Sequence, residues 1–235
     1  MKKILFVSIT YFLGQTCFGQ LEFKNSNTGR QMNFEDLNGH SLLKKYDPGI
    51  SGSPFLSDNW IKARLTFARG NVIGPLPVKL NIENNELYYQ DSLGKEMVAA
   101  EGFIKKIDCL NYDGDNTCYV FKNGYPEIDK QSETFFYQAL TEGKIELLEK
   151  KTKYISTSKD AVSGEIAKQF ENSGTVFYLY TNNNIQLFHP GKNAILALLK
   201  DKEQLINTFI ESNKINLKKI ADITKLFNYY NKITG

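Results

Sequence analysis

The spacing of hydrophobic positions changes once along the chain. In Ile61–Phe67 the odd positions are apolar and the even ones polar. That two-residue alternation predicts a half-buried strand. Leu76–Ile82 repeats it with the even positions apolar. Pro77 falls on the polar side there; it cannot donate to a ladder, so it predicts an edge strand or a bulge. Further short strands are predicted over 86–91, 95–101, 103–110, 117–122, 134–140, 144–150, 175–180 and 185–188. Asn, Gly and Ser clusters such as Asn84-Asn85, Glu142-Gly143 and Asn182-Asn183-Asn184 separate them. Local turns between short strands imply antiparallel pairing, because parallel pairs need long crossovers. Residues 156–173 break the rhythm and predict a surface loop, or a short helix around Glu165–Phe170.

After His189-Pro190-Gly191 the period becomes helical. Leu205, Ile206, Phe209 and Ile210 share one face, and Ile220, Ile223, Phe227 and Tyr230 repeat the stripe in a last helix starting near Asn216. Asp201 with Gln204 three residues on resembles an acidic N-cap signal. Asn213 is placed to end the middle helix. Together these patterns predict an α+β protein: a mostly antiparallel, curved sheet of about eight strands or more, followed by a small C-terminal helical element packed on it.

The first residues have a different logic. Met1-Lys2-Lys3 is a positive start, Ile4–Leu13 an apolar run, and 14–19 a small and polar stretch ending at Gly19. This is the layout of a secretory signal peptide, and the run is too short to cross a bilayer, which takes roughly 20 residues. The predicted organisation is a signal peptide over 1–19, an irregular segment over 20–59, a β-rich body over 60–190 and C-terminal helices over 191–235. No transmembrane segment is expected in the mature chain. Export, to the periplasm or the outside, is the expected destination.

Composition narrows the chemistry. Cleavage removes Lys2 and Lys3 and lowers the formal charge from +3 to +1. Of 29 basic residues only Arg30, Arg64 and Arg69 are arginine. Forked recognition of phosphates and bases favours arginine, so no nucleic-acid partner is expected. Residues 191–235 hold eight lysines against four acids; a solvated helical face accounts for them, and docking on an anionic surface is the sharper alternative.

After cleavage the cysteines are Cys109 and Cys118, flanking Asp113-Gly114. Asp-Gly between apolar runs predicts a hairpin. The pair is either a disulfide across that hairpin, which export permits, or two separate buried thiols. Paired aromatics (Tyr88-Tyr89, Phe135-Phe136-Tyr137, Phe177-Tyr178, Tyr229-Tyr230) read as core packing, with a platform for sugar or lipid as the alternative.

No phosphate-binding glycine loop and no Gly-x-Ser-x-Gly elbow occurs. His40 and His189 stand far apart outside any metal spacing, with His40 expected in a loop and His189 at a strand end. Asn111-Tyr112-Asp113-Gly114-Asp115 starts like a calcium loop and then fails. Asn116 stands where glycine is needed and Lys122 where a bidentate glutamate is needed. Glu127, Asp129 and Glu133 read as solvating a loop. No catalytic residue, cofactor-binding residue, metal ligand or cofactor is assigned.

A resemblance adds to this. Gly52-Ser53-Pro54-Phe55-Leu56 leads into Trp60 and a strand. Leu76–Asn81 and Glu86-Leu87-Tyr88 follow as a hairpin. The C-terminus combines Leu198–Lys202, Leu205-Ile206, Phe209-Ile210 and Tyr229-Tyr230-Asn231. The chain resembles uncharacterised exported proteins typical of Bacteroidota. The resemblance implies export and a two-part layout, and it brings no activity with it. The functional expectation is an exported, non-enzymatic binding or interaction protein of the cell envelope, with an unknown protein, glycan or lipid as partner. The alternatives are a secreted hydrolase using carboxylate chemistry and a lipid carrier using the sheet's concave face.

Overall fold

A computed structural model of the chain describes residues 40–41, 49–110, 119–159 and 164–235. Among the described residues fourteen strands precede three α-helices. The strands are β1 (His40–Ser41), β2 (Ile50–Ser51), β3 (Ile61–Phe67), β4 (Val72–Asn81), β5 (Glu86–Gln90), β6 (Glu96–Val98) and β7 (Ile104–Cys109). They continue as β8 (Tyr119–Lys122), β9 (Tyr137–Ala139), β10 (Glu146–Lys150), β11 (Lys153–Lys159), β12 (Ile166–Asn172), β13 (Val176–Thr181) and β14 (Asn184–Phe188). The helices are α1 (Lys192–Leu198), α2 (Glu203–Ser212) and α3 (Ile220–Thr234). The chain is therefore α+β with a mostly antiparallel sheet and a small C-terminal helical element.

Eleven strands form one sheet in the order β1-β6-β5-β4-β3-β7-β8-β9-β10-β13-β14. Every pair in it is antiparallel. The path runs outward from β3 to β6, returns to lay β7 on the other side of β3, and continues outward again. Pro77 does not mark an edge: β4 lies between β3 and β5. A bulge accommodates the proline-rich stretch, since Ala63 pairs with Leu76 while Leu65 pairs with Ile73. Gly74 makes that bulge possible. Its φ is +109°, and a Cβ there would sit 2.6 Å from the Ala63 carbonyl oxygen.

The first half of the sheet curls. Five strand spacings separate β5 from β9, about 24 Å if flat. Yet Asn85, in the β4–β5 turn, donates from Nδ2 to the Thr134 carbonyl at 3.0 Å and accepts from the Phe136 N–H at 2.8 Å. Inside the curl Leu65, Leu76, Leu87, Ile107, Phe121 and Phe136 belong to one buried core.

The second half is backed by the helices. Leu147 pairs with Leu179, and both face a core with Phe188, Ile195, Ile206, Ile223 and Phe227. Leu148 and Tyr178, one residue along, face the opposite way into a third core with Tyr125, Phe135, Tyr137 and Ile185. The paired aromatics are thus mostly core: Tyr88, Tyr89, Phe135, Phe136, Tyr137, Tyr178 and Tyr230 are all buried.

Residues 156–173 correct the sequence reading. They contribute to the β11–β12 hairpin, whose second strand pairs in parallel with β2. The hairpin is exposed on both faces, Ile166 to 65%. A strand with two wet faces has no reason to alternate, so its pattern carried no strand signal. Asp201 is corrected too. It lies in a 3-10 turn (Lys200–Lys202) before α2, whose N-cap is Lys202 without a side-chain cap bond. Its carboxylate instead accepts from the Tyr230 hydroxyl at 3.0 Å. Asn213 does cap the C-terminus of α2. His40 is in a strand rather than a loop, opposite Val98. No helix among the described residues is long and apolar enough to cross a membrane.

Candidate functional site

A cavity of about 310 Å³ opens where the curled half closes. The β4–β5 turn, the start of β5, the end of β6, the 99–104 segment and the chain before β9 surround it. Its buried lining is apolar: Leu87, Val98, Ile104 and Phe136. Its more exposed lining carries Asn84, Glu86, Glu101 and Thr134. Asn85 sits in the left-handed region at φ +62°, which an asparagine tolerates better than most residues, and its two bonds hold the walls together.

The two carboxylates are only partly engaged. Glu86 Oε2 accepts from Asn84 Nδ2 at 2.6 Å and from the Tyr88 hydroxyl at 2.9 Å. Glu101 Oε1 accepts from Thr134 Oγ1 at 2.6 Å. Among the described residues neither forms an ion pair with Lys or Arg, and the cavity lining contains no basic side chain.

A second polar group lies across β7, β8 and β10. Lys106 bridges Asp108 (3.2 Å) and Glu142 (3.1 Å). Lys122 reaches Glu142 (3.7 Å) and Glu146 (2.7 Å). The Tyr125 hydroxyl donates to the other Glu146 oxygen at 2.5 Å. Burial pulls the Lys106 ammonium down, and the hydrogen bonds to Glu142 and Asp108 carry it above its ordinary range. Burial and the adjoining Glu146 push the Tyr125 hydroxyl far above the ordinary tyrosine range. Each charge here is met by an opposite one, so the arrangement reads as a structural ladder with no reactive group left over.

A third group locks α3 to the sheet. Asn231 Oδ1 accepts from the Ile145 N–H at 2.9 Å, while Nδ2 donates to the carbonyls of Ile145 (2.8 Å) and Glu142 (3.0 Å). Its amide takes both backbone groups of Ile145, the residue just before β10, as a neighbouring strand would. Gly143, at φ +131°, is where this contact leaves no space for a Cβ: one would lie 2.9 Å from Asn231 Cγ. Beside it Lys144 reaches Asp201 at 3.3 Å.

The residues singled out in the sequence lie elsewhere. Cys109 is buried at the end of β7, opposite Tyr119; Cys118, the Asp113-Gly114 turn and the calcium-like stretch 111–115 lie outside the described residues. Asp129 accepts from the Tyr178 hydroxyl at 2.8 Å, and Glu127 and Glu133 are exposed on the same loop. His189 is exposed just past β14. Among the described residues no three His, Cys, Asp or Glu side chains converge as a metal site. Sequence reasoning missed Glu86, Glu101 and Thr134. The local signal was the Asn84-Asn85 turn beside Glu86, but its partner Thr134 is 49 residues beyond Asn85. No protein-family model, curated protein or solved structure matches the chain.

Proposed function

We propose that this is an exported, non-enzymatic binding protein of the cell envelope, and that the cavity beside Asn85 is its binding site. The single observation behind this reading is the cavity itself: an apolar interior, a polar mouth with two incompletely partnered carboxylates, and walls fastened by a side chain. Its volume is at the small end of ligand sites, which suits a compact ligand rather than a polymer or an acyl chain. The lipid-carrier alternative has less support, because the inside of the curl is filled by Leu65, Phe121 and their neighbours.

Export rests on the layout of residues 1–19, and intact mass of secreted protein tests it; a retained Met1 would remove it. The Cys109–Cys118 alternatives are separated by counting thiols on unfolded, unreduced protein, where two free thiols exclude a bridge. Native mass spectrometry of mature protein purified gently from its own envelope fraction tests the binding reading. A stable added mass that disappears in a Glu101→Gln variant supports it. A bare polypeptide in both, with no ligand found by titration, overturns it. The hydrolase alternative draws on the same two carboxylates; turnover on a glycan or ester panel, abolished by Glu101→Gln, would put it first.

A further inference from the structure

Resting on the reading of the cavity as a binding site, we infer that its ligand is a small organic cation: a protonated amine on a short apolar body. Three features converge. First, Glu86 Oε1 and Glu101 Oε2 have no protein partner among the described residues, and the lining offers no cation to neutralise either carboxylate. Elsewhere on this sheet carboxylates meet lysines: Glu142 and Asp108 with Lys106, Glu146 with Lys122, Glu149 with Lys151. At the cavity that pairing is missing for both carboxylates, and an incoming ammonium completes it.

Second, the donors and acceptors are matched to such a group. An ammonium offers donors and no acceptor, and the cavity mouth supplies two carboxylates. A polyol hydroxyl can also donate to a carboxylate, but only a cation adds the attraction of opposite charges to that hydrogen bond. An anion meets two like charges.

Third, the interior excludes a bare metal ion as the best fit. Calcium takes about six to eight oxygen ligands, whereas seven of the twelve residues around this cavity are apolar or glycine. Leu87, Val98, Ile104 and Phe136 would make no contact with a bound ion. They suit the hydrocarbon of an amine whose head stays at the mouth. The cavity holds the equivalent of roughly ten water-sized volumes, taking about 30 Å³ for each, so the ligand is of that many non-hydrogen atoms or fewer.

Titration of the mature protein with butylamine, putrescine, butanol, butyrate and calcium chloride, followed by calorimetry and melting temperature, decides the matter. Butylamine or putrescine is expected to bind, butanol and butyrate to bind at least tenfold more weakly. Glu86→Gln and Glu101→Gln, both near-isosteric changes at the mouth, should each weaken amine binding roughly tenfold to a hundredfold. Their unliganded melting temperatures check folding directly. Butanol binding as tightly as butylamine, with no loss in either Gln variant, overturns the cation and leaves the binding site standing. Calcium binding that displaces butylamine and exceeds it does the same in favour of a metal. No binding by any probe, together with a bare polypeptide from the envelope, removes both the class and the site.

Discussion

Replacing Asn231 with alanine tests how the C-terminal helices are held. The substitution deletes three hydrogen bonds, and they are unequal. The Glu142 carbonyl lies in an exposed turn, where water replaces the lost donor. The Ile145 carbonyl keeps Thr141 Oγ1 at 3.0 Å. The Ile145 N–H keeps nothing, and Ile145 is 1% exposed. A buried donor left unsatisfied costs about 1–3 kcal/mol. We therefore expect a loss of about 2 kcal/mol, or a fall in melting temperature of about 4–8 °C for a chain this size. Urea denaturation read by circular dichroism gives the free energy. Asn231→Asp keeps the acceptor for Ile145 but turns the donor into a second acceptor facing two carbonyls, so at neutral pH it should cost at least as much. Gly143→Ala adds a Cβ 2.9 Å from Asn231 Cγ and 3.2 Å from Nδ2, atoms that alanine at position 231 lacks. The double variant Gly143→Ala/Asn231→Ala should therefore lose less than the two singles together, by about 0.5 kcal/mol or more. An Asn231→Ala midpoint equal to wild type, or strict additivity with Gly143→Ala, would refute the lock.

Asn85→Ala should lower stability by about 1–3 kcal/mol by orphaning the Phe136 N–H. Asn85→Gly, which tolerates the left-handed turn, should recover little of it; full recovery in denaturant titration would show that only the turn matters. Tyr137 Oη is buried and has no hydrogen-bond partner among the described residues, so Tyr137→Phe should be neutral or stabilising. Tyr125→Phe, which strips a bond from the buried Glu146 carboxylate, should cost about 1.5–3 kcal/mol. Burial and nearby Asp129 push Tyr137 up to about 12. Its folded value is raised because the fold opposes its ionisation, so it costs no stability below the ordinary tyrosine range near 10, and stability is lost as pH climbs toward 12. Tyrosinate absorbance should rise late for Tyr137 and coincide with falling melting temperature. Burial opposes ionisation of Asp201, but hydrogen bonds from Tyr230 and Lys144 win and set its carboxyl below the ordinary 3.8. Its contribution is present above that value and lost as pH falls through the lower folded one. The melting-temperature gap between wild type and Asp201→Asn should be open at neutral pH and close in acid; a constant gap would contradict the assignment.

What the sequence made legible follows from how each element is solvated. β3 and β4 bury one face, so alternation marks them, and the exposed side of β3 is read directly from Lys62 and Arg64. The α3 stripe was equally plain, because Ile223, Phe227 and Tyr230 sink into one core. β11 and β12 were missed because neither face is covered. Asp201 was misread because the acceptor that looks local is engaged by a hydroxyl 29 residues away. Asn231 carried no reading of its own, since nothing local says that its amide bonds to the backbone just before β10. The candidate site was illegible for the same reason as these tertiary bonds: Glu86, Glu101 and Thr134 meet only after the sheet has curled.

The position of the cavity follows from the topology. Phe135, Phe136 and Tyr137 are consecutive, and strand alternation sends Phe136 into the core of the curled half while Phe135 and Tyr137 enter the core behind β10 and β13. The chain before β9 is therefore a seam between two cores, each packed by its own set of side chains. On the curled side the sheet is joined across that seam by Asn85 rather than by continuous strand pairing. A side-chain bridge holds two backbones near one another without filling the space beside it as a paired strand would. The volume next to the bridge falls to whatever Leu87, Val98, Ile104 and Phe136 leave open. Filling variants at those four positions should thus occlude the cavity while leaving the Asn231 lock intact. The shape of the cavity and the docking of the helices are then separable on one sheet, with Asn85 bridging the walls of the first and Asn231 tying α3 to the chain before β10 in the second.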